Sequence, residues 1–309
     1  MLDPQIAGLL QLMAASGAPA MSQGTPPQAR EGFRMLTVGL RNPGALAQVR
    51  EVRDLELPGG TPARVYRPEA DGPVPTVVFF HGGGFVIGDL ETHDDHARLL
   101  CRDVGAVVLS VDYRLAPEHP WPAGLEDCLA ATRWAFEHVD ELGGDAGRIA
   151  VAGDSAGGNL SAAVCLELRE TGPRLAAQLL LYPATDFEEE STHPSREENA
   201  QGYLLTSDDM RWFGEQYVPE GADRRDPRLS VLHAPDLSGL PPAVVATAGF
   251  DPLRDEGEAF ADALAAAGVR VVRRRYDTLI HGFFGLGPVS PAAAAADLEL
   301  CQDLKGLLG

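Results

Sequence analysis

Apolar positions along the chain change their period twice, and each change marks a different kind of element. Residues 2–15 carry Ile6, Leu9, Leu10 and Met13 at helical spacing, and residues 28–40 place Phe33, Leu36 and Leu40 on one face. Two helices are therefore expected ahead of every strand, laid over the main fold rather than inside it. A link rich in Gly, Pro and Ser joins them. Residues 49–57 then alternate apolar with charged side chains, and residues 63–67 do so briefly, which predicts a half-exposed, hairpin-like pair. Beyond it come short continuous apolar runs at 76–80, 106–111, 148–152, 178–182 and 243–247. Helical patterns at 93–104, 125–139, 157–169 and 256–267 separate them. Strands buried on both faces and alternating with helices predict an α/β fold, a mostly parallel sheet with helices on either side. Residues 269–276 alternate Val with Arg and read as a late strand near the sheet edge, and Pro291–Leu308 reads as a closing helix.

The stretch from 185 to 241 differs in character, with the clusters EEE, SREEN and ADRRDP. It is too long for a plain connection and predicts a partly helical insertion whose charges face water.

Composition narrows the function classes. A chain of 309 residues with 45% hydrophobic and 23% charged positions suits one large folded domain. A net charge of −20 argues against nucleic acid and anionic lipid as partners, since phosphate binding needs concentrated positive charge. Lys305 is the only lysine, which leaves little for a P-loop or a lysine Schiff base. Cys101, Cys128, Cys165 and Cys301 are scattered through helical patterns without a CxxC pair, so they read as small buried hydrophobes. The apolar N-terminus carries Asp3 and no basic residue before Arg30, unlike a signal peptide, and no apolar run would cross a bilayer; a cytoplasmic location is expected.

Chemistry is written most clearly in Gly153-Asp154-Ser155-Ala156-Gly157, between an apolar run and a helical pattern. This is GxSxG in the strand–turn–helix context that lifts a serine oxygen clear of a sheet. A serine nucleophile needs a base, and eight histidines are available. His81 opens a glycine run and suits a loop organiser. His93 and His96 flank Asp94-Asp95 but lack an evident third ligand, so they read as a surface helix start rather than a metal site. His119 sits in a turn, His138 at a helix end, and His193 and His233 in the insertion and its exit. His281, in Thr278-Leu279-Ile280-His281-Gly282-Phe283, follows the last strand and is the expected base. Asp251, just past the run 243–247, is the expected acid, in the order Ser…Asp…His. Asp255 and Glu256 compete with it but read as charges at the start of a helix. His81-Gly82-Gly83-Gly84-Phe85 follows a strand, and Gly83 and Gly84, with the N–H of Ala156, are the candidate oxyanion donors. Phe33, Trp212 and Phe213 are candidate pocket walls. Asn159-Leu160-Ser161 matches the glycosylation pattern by chance, inside the helix behind the nucleophile.

With HGGG, GDSAG, DPLRDEG and HGF in this order, and with Val111–Glu118, the sequence resembles the hormone-sensitive-lipase-like group of α/β-hydrolase carboxylesterases. The resemblance runs from about residue 49 to the C-terminus. It implies an α/β-hydrolase fold with a central sheet of about eight strands and a helical cap built from the N-terminal segment and the insertion. The expected division is 1–45 cap, 46–184 core, 185–220 cap insertion and 221–309 core. It also implies hydrolysis of short- to medium-chain esters without a metal or cofactor, and structural support from residues 113–118. A lipase or amidase is the alternative within enzymes. A small-molecule binding protein on the same fold would lack the base, so His281 speaks for the enzyme. A small ester is the expected partner, together with a possible homodimer through the edge strand at 269–276, where Arg270, Arg273, Arg274 and Arg275 stand.

Overall fold

The computed structural model describes residues 1–17, 20–39, 41–189 and 191–309. Leu40, expected on a helix face, and Glu190 in the acidic run lie outside the described residues. Eight strands form one sheet: β1 (Glu51–Glu56), β2 (Pro62–Arg67), β3 (Val74–Phe80), β4 (Val107–Val111), β5 (Gly144–Asp154), β6 (Ala177–Leu181), β7 (Ala243–Phe250) and β8 (Val271–Ile280). Their spatial order is β1-β2-β4-β3-β5-β6-β7-β8. The pairs β1–β2 and β2–β4 are antiparallel, and every later pair is parallel.

The continuous apolar runs have a simple cause. Val77 and Phe79 face one core while Val78 and Phe80 face another, and all four are completely buried. Each such side chain contributes roughly 1.5–3 kcal/mol by leaving water. Both sheet faces are thus committed to helices, as the parallel-sheet reading requires.

The helices in chain order are α1 (Pro4–Ala15), α2 (Pro26–Arg34), α3 (Asp94–Leu99), α4 (Ala123–Glu137), α5 (Val139–Leu142), α6 (Ala156–Thr171), α7 (Pro194–Glu198), α8 (Ser207–Tyr217), α9 (Arg254–Ala266) and α10 (Pro291–Leu308). The helix expected over 93–104 continues past α3 as a wider π-helical turn, Leu100–Gly105, closed by Gly105 at φ 74°. Likewise α2 passes into a π-helical turn, Met35–Gly39. Asp3 caps α1 by accepting from Gln5 and Ile6 N–H, and its own N–H donates to the Thr278 carbonyl of β8. Of α1 only Ile6 is fully buried, so this helix lies over the core. Arg30 of α2 donates to the Val86 and Ala116 carbonyls and pairs with Glu118, which fastens the helix to the loops around the glycine run. The insertion contributes α7 and α8. The four cysteines are free and buried. Among the described residues no helix is long and apolar enough to cross a membrane.

Candidate active site

At the end of β5 the chain turns so sharply that Ser155 takes φ 56°, a region costly for a side-chain-bearing residue and kept where surrounding structure enforces it. The glycines make the turn possible: a Cβ on Gly153 would overlap the Gly157 carbonyl, and one on Gly157 would overlap the Phe80 carbonyl. The Ser155 N–H donates to the Leu181 carbonyl at 2.8 Å, which pins the turn to the neighbouring strand.

His281 follows β8 and presents Nε2 3.0 Å from Ser155 Oγ and Nδ1 2.8 Å from Asp251 Oδ2. A carboxylate can only accept, so the proton sits on Nδ1 and Nε2 is left to accept from the serine. Asp251 is fully buried, and its other oxygen accepts from Leu253 N–H at 2.8 Å. Tyr182 packs edge-on against the imidazole at 4.8 Å. Of the competing acids, Asp255 pairs with Arg254, and Glu256 pairs with Arg196 and accepts from Thr185 N–H. Both open α9 as expected. Glu256, however, is fully buried and anchors the insertion, a role that its sequence context did not reveal.

The glycine loop stands beside the serine. Gly83 and Gly84 adopt φ 113° and 57°. Among the described residues, the N–H groups of Gly83, Gly84 and Ala156 make no hydrogen bond with the rest of the protein, so three donors stay open near Ser155. The loop is held from below. Tyr113 donates to the His81 carbonyl at 2.7 Å and stacks on its ring, and Gly82 N–H donates to Asp154 Oδ1 at 2.9 Å. Burial pushes His81 down to about 4, so it is a neutral organiser, not a base.

A cavity of about 620 Å³ opens over the serine. Phe33 and Phe213 line it together with Met21, Leu205, Met210 and Leu253. Trp212 does not. It packs against Phe213 at 5.2 Å, because the α8 stripe that faces the serine includes Met210, Phe213 and Gly214, and Trp212 falls on its flank. A second cavity of about 640 Å³ lies beneath the N-terminal helices and shares Phe33, His93, Asp154, Leu204 and Gly282 with the first.

The surface reading of His93 and His96 is corrected. His93 is 3% exposed, wedged between His81 and His96, and its Nε2 lies 3.6 Å from Asp154 Oδ2. The acidic group that the fold brings beside this pair is Asp154, about sixty positions away. His193 and His233 both reach Asp186, at 3.0 and 2.9 Å. Asn159 is fully buried and donates to the Ala184 and Leu229 carbonyls, so the glycosylation pattern is a coincidence.

Known proteins resemble the chain in sequence and in fold. A family model described as alpha/beta hydrolase fold matches residues 77–285. Carboxylic ester hydrolase LipN of Mycobacterium tuberculosis is 52% identical over 268 residues, 84% of this chain and 71% of LipN. The ethyl acetate hydrolase of Pseudomonas putida is 37% identical over 93% of both chains. Among solved structures, the esterase of Pyrobaculum calidifontis superposes with a TM-score of 0.91 at 43% identity, covering 99% of each chain.

Proposed function

The chain belongs to the alpha/beta hydrolase family and is a carboxylic ester hydrolase, and from that premise we propose that Ser155, His281 and Asp251 carry out the hydrolysis of short- to medium-chain acyl esters. The observation that carries this reading is the unbroken line of contacts Ser155 Oγ–His281 Nε2–His281 Nδ1–Asp251 Oδ2, at 3.0 and 2.8 Å.

In the first half-reaction Ser155 Oγ attacks the acyl carbon while His281 Nε2 takes its proton. Asp251 keeps the ring in the required tautomer and stabilises the imidazolium. The oxyanion receives the N–H groups of Gly83, Gly84 and Ala156, donors fixed before the charge develops. His281 then returns the proton to the departing alkoxide, and the alcohol leaves. Water, deprotonated by the same imidazole, attacks the acyl-enzyme; the acid departs and Ser155 recovers its proton. Charge balances at each step without a metal or cofactor.

The acyl-length reading rests on the roof over Ser155, where Phe33 of α2 and Met210 and Phe213 of α8 bound the cavity. This supports the division into core and cap, with residues 1–45 and 185–220 as cap. The decisive experiment is intact-mass labelling with an activated phosphonate ester. One phosphonyl group on Ser155 is expected in the native protein and none in Ser155→Ala, which should also lose a factor of about 10⁶ in kcat while melting normally. Near-native turnover by that variant refutes the mechanism.

A homodimer through β8 belongs to the same proposal. β8 is an edge strand, and Arg273, Arg274 and Arg275 are each paired within the chain, with Asp262, Asp303 and Asp277. These charges are neutralised at home, so they do little to repel a second copy of the edge. Light scattering should give twice the chain mass; a monomer mass at all concentrations overturns it.

A further inference from the structure

The hydrogen bonds around His93 leave one of its nitrogens facing the wrong kind of neighbour. The Thr92 hydroxyl has a single proton, which it donates to the Asp89 carbonyl at 2.9 Å. The same oxygen accepts from Asp89 N–H at 2.8 Å and lies 2.9 Å from His93 Nδ1. With its proton spent, Thr92 can only accept from Nδ1, so Nδ1 carries the imidazole proton. In the neutral ring Nε2 is then a lone pair, and it faces Asp154 Oδ2 across 3.6 Å. Two acceptors confront each other at a distance too long for a hydrogen bond.

His96 repeats the pattern. Its ring packs against Phe284 with centroids 5.4 Å apart, while its Nδ1 is shut off from solvent and has no partner. With no acceptor within hydrogen-bond reach to hold a proton, this buried nitrogen is open to serve as an electron-pair donor. One donor atom from each of His93, His96 and Asp154 lies within 4.8 Å of the other two. The cluster of Asp186, Glu188 and His233 differs, because there His193 and His233 each reach the Asp186 carboxylate at an ordinary hydrogen-bond distance.

Three electron-pair donors converging without a proton between them form a cation site. Two donors about 2.1 Å from a tetrahedral metal stand roughly 3.4 Å apart, close to the His93–Asp154 separation. Thr92 supplies the contact that fixes the ring of a metal-bound histidine from its far nitrogen. We propose that His93, His96 and Asp154 bind one divalent transition-metal ion of the zinc class, and that its binding inhibits the esterase. The inhibitory direction follows from Asp154: its Oδ1 holds Gly82 of the oxyanion loop, and the residue after it is Ser155. Metal drawn onto Oδ2 pulls that carboxylate from the loop it supports. The effect falls on kcat, because the metal acts through the carboxylate that holds Gly82 of the oxyanion loop and directly precedes Ser155. This kinetic arm rests on the esterase reading, whereas metal binding itself does not.

The test is titration of the purified full-length protein with Co²⁺, followed by Zn²⁺ displacement. The expected result is one equivalent of Co²⁺ with the intense visible absorption of a tetrahedral site, in the native protein and in Ser155→Ala alike. His96→Gln should weaken binding by more than ~100-fold and abolish zinc inhibition with basal hydrolysis retained, and Thr92→Val should weaken it ~10–100-fold. His233→Gln should change nothing. Absence of the cobalt spectrum in the native protein, or equal binding by His96→Gln, overturns the proposal and leaves a second proton on His93 as the link to Asp154. Loss of binding in His233→Gln likewise overturns it by moving the site to Asp186. Should Ser155→Ala keep its activity, the esterase mechanism fails while the cobalt result still stands.

Discussion

Asn199 donates its side-chain amide to the main-chain carbonyl of Asp251 at 3.2 Å, so the insertion is fastened to the loop that bears the proposed catalytic acid. Ser195 adds to the joint by donating to the Pro252 carbonyl at 2.8 Å and by exchanging hydrogen bonds with Asp255. Arg196 completes it through Glu256, at 2.6 Å. One end of the insertion is thus built into the acid's mounting, while its other helix, α8, roofs the cavity.

From this joint follows a stability prediction. Arg196→Ala strands a fully buried carboxylate, and burial already raises the Glu256 carboxyl above its ordinary value despite the pairing. A loss of about 3–5 kcal/mol is expected, read from the urea midpoint. Glu256→Gln keeps an acceptor for Thr185 N–H and should cost clearly less. Equal costs for the two variants would show that the buried charge is not the issue.

The oxyanion donors give a second test. Gly84 sits at φ 57°, and a Cβ there would overlap the ring of Phe213. Gly84→Ala must displace the loop or the roof, and misplacing one donor costs about 10²–10³ in kcat. The expected signature is a fall in kcat larger than any rise in KM. Unchanged kcat would remove Gly84 from the donor set.

The acid gives a third. Asp251→Asn should lower kcat by about 10⁴, because the amide no longer demands the proton on Nδ1. Steady-state kinetics on the purified variant measure it, and near-native kcat would remove Asp251 from the mechanism.

These sites differed greatly in how legible they were. Ser155, Asp251 and His281 stand in short motifs next to strands whose apolar runs are unmistakable, so strand ends alone bring them to one edge of the sheet. The strands β3 to β7 were legible for the same reason, since positions such as Val77 to Phe80 are completely buried, whereas β1, β2 and β8 were legible from alternation at the half-exposed ends of the sheet. Contacts made across long sequence separations were not legible. His93 and Asp154 are apart in the chain, and nothing local to either tells of the other. Trp212 and Phe213 are adjacent aromatics on a short helix; only the docking of α8 decides which one faces the serine. Glu256 reads like any acid at a helix start until the insertion folds over it.

The final prediction concerns stability against pH and rests on Asp297 of α10. Its carboxylate is 4% exposed and receives Gly285 N–H at 3.2 Å. Burial, reinforced by Asp103, pushes it up to about 7 from an ordinary 3.8, against the pull of the Gly285 and Gly287 N–H groups. Between these two values the folded protein holds a proton that the unfolded chain has released. The unfolded state therefore binds fewer protons, and stability falls as pH rises from about 4 to about 7, then levels off. Asp297→Asn keeps an oxygen for Gly285 N–H and removes the titration. The variant should be more stable than the native protein at pH 8, by on the order of 2–4 kcal/mol, and the advantage should vanish near pH 4. Urea midpoints across that range measure it directly. A native-minus-variant difference that does not change with pH would mean that Asp297 is ionised in the folded state throughout, with the Gly285 and Gly287 N–H groups outweighing its burial.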